Sequence, residues 1–245
     1  VAKSAPDGYT LGVGSMATLC VVPHLYARIG YDSMHDFSPV TLVAAGAFVF
    51  DVHPSIPARN LKELIALGRA NPDKLSFGTA GAGSVSHLGV EMLKSMALVS
   101  FLHIPYKGVA PAMIGLLSGE TSLMYDPVLT SMPHVKSGRI RALAVGAAKR
   151  TPLFPELPTV AESGLPGFEA SSWFGIVAPT GTPREVIHRL QSALAKGVGE
   201  REAAQRLVGQ GMEPVLNAPE QFAAIIARDL RRWGKVVRDA GIKPE

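Results

Sequence analysis

Residues 78–88 contain the side chains and the bare backbone whose types and spacing could do chemistry. Thr79, Ser84 and His87 supply polar groups, and only glycine and alanine stand between Thr79 and Ser84. Apolar residues at helical spacing predict a helix that begins after Ser84, so the free N–H groups of its first turn would point back into the loop. Because small residues leave that backbone uncovered, a carboxylate could bind there. A plain tight turn between a strand and a helix explains the pattern equally well.

Two other glycine-dependent chemistries are not expected. The loop lacks the Gly-Lys-Ser/Thr ending of a phosphate-binding P-loop. The pairs Gly81 with Gly83 and Gly12 with Gly14 lack the third glycine of a dinucleotide fingerprint. The sequence therefore predicts no cofactor and no metal.

Composition narrows the class of protein. With 245 residues, 47% of them hydrophobic, the chain can bury a large core, and no apolar run is long enough to span a bilayer. The net charge is +4, and the one dense basic cluster, residues 228–238, alternates with apolar residues as on a solvated helix face. No nucleic-acid partner is expected. The single cysteine, Cys20, excludes an intrachain disulfide and a cysteine-based metal site, and no signal-peptide pattern is present in the given chain.

Short apolar strands alternate with helices along the chain, which is typical of an α/β fold with a largely parallel sheet covered by helices on both faces. Strands are predicted at residues 9–14, 40–52, 75–77, 100–104, 122–125, 141–145 and 173–178. Helices are predicted after Asn60 and after Ser84, and at residues 110–117, 131–137, 184–196, 201–210 and 219–240.

Five segments, in order along the whole chain, together resemble the Bug family, the substrate-binding receptors of tripartite tricarboxylate transporters. They are residues 5–11 (APDGYTL), 83–88 (GSVSHL), 105–112 (PYKGVAPA), 157–164 (LPTVAESG) and 179–183 (PTGTP). The resemblance implies an α/β, two-domain periplasmic binding protein of type II-like architecture, in which each domain is a mostly parallel sheet flanked by helices.

The resemblance also implies how the domains divide the chain. Domain 1 would be discontinuous, with residues 1–45 and 171–245, and domain 2 would contain residues 46–170. Family members begin with a strand, a loop and a long helix ahead of the equivalent of Val1, so the N-terminal part of domain 1 is expected to be missing from this sequence.

The function implied is that of a periplasmic receptor. It would be a monomer that binds a small carboxylate solute in a cleft between its domains and delivers the solute to the membrane permease subunits of the transporter. It would not be an enzyme. The sequence does not identify the solute.

Family members hold the solute with backbone amides and hydroxyls, and the expected contacts of this chain follow from that. They are Thr79, Ala80, Gly81, Gly83, Ser84, His87 and Asp126 in domain 2, and Ser15, Thr18, Trp173 and Phe174 in domain 1. Structural roles remain open for several of them. Ser84, Asp126, Ser15 and Thr18 could simply cap turns or helices, His87 could be a surface residue, and the two aromatic residues could belong to the core.

Two rival functions stay open. Ser84, His87 and Asp126 have the residue types of a serine-hydrolase triad, but Ser84 does not stand in a Gly-x-Ser-x-Gly elbow. A ligand-sensing domain with a regulatory role would use the same fold, although no DNA-binding helix-turn-helix is visible in the sequence.

Overall fold

The computed structural model of the chain describes residues 1–242 and divides into two compact units. Unit 1 combines Val1–Gly46 with the described residues from Ser172 onward, and unit 2 is the continuous segment Ala47–Ser171. The last three residues assigned to domain 1, residues 243–245, lie outside the described residues. No described helix is both long enough and apolar enough to cross a bilayer.

Unit 1 is a four-stranded sheet with helices packed against it. Its strands are β1 (Gly12–Ser15), β2 (Phe37–Gly46), β8 (Ser172–Pro179) and β9 (Met212–Pro214). Its helices are a π-helical turn (Ala17–Val21) continued by α1 (Val22–Leu25), then α6 (Arg184–Gly199), α7 (Arg201–Gly209) and α8 (Pro219–Asp239). The strand order is β1-β8-β2-β9.

Amphipathic α8 supplies much of the core of unit 1. Its buried side chains include Phe222, Ile226 and Trp233, which recur at the spacing of one helix face. The edge of the Phe222 ring meets the ring of Trp173 on β8 at a centroid distance of 5.3 Å. This packing fixes α8 against the middle of the sheet.

Unit 2 is a five-stranded sheet with helices on both faces. Its strands are β3 (Phe48–Val52), β4 (Ser76–Thr79), β5 (Leu102–Pro105), β6 (Leu123–Pro127) and β7 (Arg141–Val145), in the order β5-β4-β6-β3-β7. Its helices are α2 (Leu61–Ala70), α3 (Val85–Ala97), α4 (Val109–Ser118) and α5 (Val128–Lys136). Helix α3 covers the face that carries Tyr125, since a Cβ at Gly89 of α3 would meet that ring. The opposite face, with Met124, packs against α4.

The predicted α/β class, with helices flanking each of two sheets, is confirmed, but strand direction differs from the expectation of mostly parallel sheets. Every pairing in unit 1 is antiparallel, because the chain leaves along β2 and returns along β8 beside it, with Gly46 opposite Ser172. In unit 2, β4 runs parallel to β5 and β6, whereas β3 is antiparallel to β6 and β7. The strand predicted over residues 40–52, which was expected to be able to cross between the domains near residues 44–47, is two strands, β2 and β3, which belong to different sheets and different units.

Candidate functional site

The candidate site lies at the carboxyl edge of the parallel strands of unit 2. Strands β4 and β5 both end there, and their following loops are joined by two hydrogen bonds, from Tyr106 N to Thr79 O at 3.0 Å and from Gly108 N to Ala80 O at 3.2 Å. Ligands of α/β proteins bind outside this edge of the sheet. Lys107 stands exposed between the two donors.

The loop from Thr79 to Ser84, called here the anion loop, depends on two glycines with positive φ. Gly81 has φ of +132° and Gly83 has φ of +73°. Residues with a side chain rarely adopt these conformations, so glycine is required for the backbone path itself. The loop brings the chain from β4 into the first turn of α3.

Ser84 is the N-cap of α3. Its Oγ accepts a hydrogen bond from His87 N at 3.3 Å and donates its one proton to Gly81 O at 2.7 Å. A hydroxyl that binds a carboxylate must donate, and this proton is already committed. The capping role left open by the sequence is therefore present, and the expected direct contact between the hydroxyl and a solute finds no support in the geometry.

His87 is buried, which excludes the alternative of a surface residue. Its Nδ1 accepts a hydrogen bond from Gly83 N at 3.0 Å, so the ring carries its proton on Nε2, which lies 3.7 Å from Glu91 Oε1. Burial, followed by the nearby His103 and Lys94, lowers the pKa of His87 to about 3. The ring is thus neutral, and it orients the anion loop.

Thr79 also makes its hydrogen bonds to other groups of the protein. Its side chain is fully buried, and Oγ1 lies 2.7 Å from His103 Nε2 on β5 while accepting a hydrogen bond from Gly81 N at 3.3 Å. The sequence did not point to His103, because it is distant from the loop in the chain and belongs to no motif. The alternation of β5, which directs His103 toward α3, is the only signal that could have found it.

The remaining polar groups of the anion loop are backbone amides. No acceptor within the described part of the chain takes the N–H of Ala80, Ala82, Val85 or Ser86. Val85 and Ser86 are the first two residues of α3, where the helix dipole favours an anion. Of the amides expected to bind a solute, those of Gly81 and Gly83 are occupied, whereas that of Ala80 is free.

Asp126 does not lie among the residues of the anion loop. It is fully buried on the sheet face opposite α3, opposite Val49 of β3, and neither carboxylate oxygen has a partner among the described residues. It does not cap α5, which has no side-chain cap. The serine-hydrolase alternative fails because its three residues are not brought together. Ser84 donates to a carbonyl rather than to His87, and Asp126 lies on the other side of the sheet from His87.

In unit 1, Ser15 and Thr18 cap each other at the start of the helical segment. Ser15 N donates to Thr18 Oγ1 at 3.0 Å, and Thr18 N donates to Ser15 Oγ at 3.1 Å. This is the turn-capping role that the sequence left open. Both hydroxyls lie at an exposed part of the unit, so a contact with a solute stays a prediction.

Trp173 and Phe174 point to opposite faces of β8, and only Phe174 is accessible. Phe174 is 44% exposed and lies opposite Ser15 in the sheet register. Trp173 is 3% exposed, and its Nε1 donates to the buried carboxylate of Asp229 at 2.8 Å. Because its ring is packed in the core, the expectation that Trp173 lines a pocket is not supported. Phe174, Ser15 and Thr18 form one accessible cluster.

Neither group of residues is arranged as a metal site. Among residues 1–242, no three histidine, cysteine, aspartate or glutamate side chains come together as ligands for an ion. The described part of unit 2 offers a ligand N–H donors at the anion loop, and, taken by itself, unit 1 offers an exposed aromatic ring and hydroxyls.

Comparison with known proteins places this geometry in a family. One solved structure, of a Candida albicans protein described as exhibiting the generic periplasmic binding protein fold, matches 96% of this chain and 78% of its own at 8% identity, with a TM-score of 0.53. The family model described as "Tripartite tricarboxylate transporter family receptor" matches residues 1–242. The chain belongs to this family of receptors.

Individual relatives agree with that assignment. BugT of Bordetella pertussis is 35% identical over 99% of this chain and 74% of its own length. The structure of R. palustris Rpa4515 with adipate is 37% identical, with a TM-score of 0.81 over 100% of this chain and 82% of that one. The structure of MatC from Rhodopseudomonas palustris with bound malate is 31% identical, with a TM-score of 0.76 over 97% and 82%.

Proposed function

We propose that this chain is a periplasmic solute receptor that binds a small dicarboxylate and delivers it to the permease of a tripartite tricarboxylate transporter. The two units would be its two domains, the solute would bind in a cleft between them, and no chemical step would follow. The adipate and malate of the two relatives indicate the chemical class of the solute.

The observation that carries the proposal is the row of free amides at the start of α3. A carboxylate that leaves water needs replacement hydrogen bonds, since its desolvation otherwise opposes binding. The amides of Ala82, Val85 and Ser86 can donate such bonds, and the α3 dipole adds to them. Each charge-assisted bond contributes about 1.5–3 kcal/mol.

A single proline tests this assignment with little disturbance of the fold. Val85 is the first residue of α3, a position that accepts proline well, and Ser84 before it has φ −67° and ψ 162°, the extended conformation that proline favours in its predecessor. Val85→Pro therefore removes one N–H and leaves the helix in place. We expect it to weaken the binding of adipate or malate, measured by calorimetry, by about 10- to 150-fold.

Val85→Ala is the control, because it also loses the branched valine side chain but keeps the N–H. It should bind like the wild type, and circular dichroism should show both variants folded. Equal affinities of the proline and alanine variants would overturn the assignment of the site. A wild-type chain that binds no member of a panel of mono-, di- and tricarboxylates would overturn the proposed function.

A further inference from the structure

Two stacked imidazoles lie beside the anion loop. The rings of His87 on α3 and His103 on β5 are 4.0 Å apart between centroids, with an interplanar angle of 10°. The ring of Phe77 on β4 lies 4.9 Å from the His103 ring and 6.1 Å from the His87 ring. Three different elements thus contribute flat rings to one compact cluster.

Each imidazole controls one of the two positive-φ glycines. His87 Nδ1 takes the N–H of Gly83 directly. His103 Nε2 contacts Thr79 Oγ1, which takes the N–H of Gly81. Both glycine amides are therefore directed to acceptors inside unit 2 rather than to a ligand.

We propose that His87 and His103 are positioning residues of the anion site, which act by holding the amides of Gly81 and Gly83 so that those of Ala82 and Val85 face the solute. The inference rests on the proposed function, because it explains how the binding amides are arranged. Neither histidine needs to touch the solute.

The surroundings of the rings favour the neutral form, which the role of His87 requires. A proton on His87 Nδ1 would face the Gly83 N–H and break that bond. Lys94 of α3 lies 5.4 Å from the Phe77 ring centroid, and its ammonium is paired with Glu91 at 2.7 Å. Burial, then Lys94, lowers the pKa of His103 as well.

The role depends on a different ring atom at each position, and this gives reciprocal variants for the test. The amide of asparagine can replace Nδ1 of histidine, whereas the longer glutamine can replace Nε2. His87→Asn should therefore keep the bond to Gly83, and His87→Gln should lose it. His103→Gln should keep the bond to Thr79, and His103→Asn should lose it.

The measurements are calorimetric affinity for adipate or malate and the hydrogen-exchange rate of the Gly81 and Gly83 amides by NMR. We expect the two retaining variants to bind within about threefold of wild type. The two disrupting variants should bind about tenfold or more weakly, with faster exchange of the glycine amide that each one releases. Equal affinities within each pair, in folded variants, would overturn the proposal.

The exchange rates separate this proposal from the proposed function, since they need no solute. Glycine exchange that follows the reciprocal pattern in a chain that binds no carboxylate would contradict the receptor function and leave the loop geometry intact. Carboxylate binding that is indifferent to a measured change in Gly81 or Gly83 exchange would contradict only the positioning role.

Discussion

Asp51 of β3 and Asp126 of β6 lie diagonally across two adjacent antiparallel strands, on the same buried face of the unit 2 sheet. Asp126 is opposite Val49, and Asp51 follows Val49 by two residues. Both side chains are fully buried, and their carboxylate oxygens have no hydrogen-bond partner among the described residues. Burial raises the pKa of Asp126 to about 8. Burial, aided by the charge of Asp126, raises the pKa of Asp51 well above its usual range; the Ser131 hydroxyl is near enough to oppose part of this shift, although it does not meet hydrogen-bond geometry.

The raised pKa values of this pair predict that its contribution to stability is lost as the pH rises. Between pH 4 and 8 the folded protein keeps a proton on Asp126 that the unfolded chain has released, and the raised pKa of Asp51 acts in the same direction. The contribution of the pair to the free energy of unfolding therefore falls with increasing pH, by up to about 1.4 kcal/mol per unit for each group. Asp51→Asn cannot ionise. It should be more stable than wild type at pH 8 and nearly equal to it at pH 4, as measured by urea unfolding.

Glu156→Gln serves as the control for Asp51→Asn, because Glu156 is an exposed carboxylate of the same unit. Its pH profile should match that of wild type. If the free energies of unfolding of wild type and Asp51→Asn changed in parallel from pH 4 to 8, the conclusion that the folded protein keeps these acids protonated would be wrong.

His87 predicts the opposite slope at acid pH. Its pKa is about 3 in the folded protein and about 6.5 in an unfolded chain, so below pH 6.5 only the unfolded state takes up the proton. The contribution of His87 to stability should therefore fall as the pH drops from 6.5 toward 3, by about 1.4 kcal/mol per unit, which opposes the contribution of the two aspartates. His87→Asn removes this proton uptake, so the free energy of unfolding of the variant should rise relative to that of wild type as the pH drops through that range, as measured by urea unfolding. Profiles of equal slope would refute a neutral, buried His87.

Substitutions of Ser84 can test the effect of a negative charge at the anion loop while the N-cap hydrogen bond is kept. Asparagine and aspartate both accept the N-cap hydrogen bond, so Ser84→Asn and Ser84→Asp should each retain the stability of α3. Only aspartate places a negative charge at the free amides. We expect Ser84→Asp to bind adipate or malate at least about tenfold more weakly than Ser84→Asn. Similar calorimetric affinities would place the solute elsewhere.

Substitution of Trp173 tests whether this residue belongs to the core of unit 1 or to the binding site. Trp173→Phe keeps an aromatic ring but removes the N–H that Asp229 accepts, which should lower the free energy of unfolding by about 1–3 kcal/mol. Carboxylate affinity should stay within about twofold of wild type. An affinity loss without a change in unfolding would restore Trp173 to the binding site. Phe174→Leu, at the accessible neighbouring position, should leave stability within about 0.5 kcal/mol.

The sequence predicted the helices that carry strong local signals. The cap at Asn60, for example, is present, with its side chain accepting from Glu63 N at 2.9 Å. It predicted β7 at its observed bounds as well. The short helical segment Ala17–Val21 and strand β9 were missed, because neither is long enough to show periodicity.

The sequence allowed the backbone of the site to be located, but it allowed much less to be predicted about the contacts of its side chains. The small residues and the helix start located the anion loop, whereas the acceptors of its amides depend on rotamers and on His103 from another strand. Asp126 shows a second limit. Its place at a strand end suggested access to a ligand, but the alternation of β6 turns it to the face away from α3.

The position of Gly46 opposite Ser172 has a consequence for folding order. Strands β1 and β2 both take their hydrogen bonds from β8, not from each other. Since β8 follows the whole of unit 2 in the chain, an emerging polypeptide exposes the unpaired apolar edges of β1 and β2 until residues 172–179 arrive. Unit 2, whose strands follow one another in the chain without interruption, can be completed meanwhile, and the segment with β1 and β2 that precedes it is protected from aggregation only afterwards.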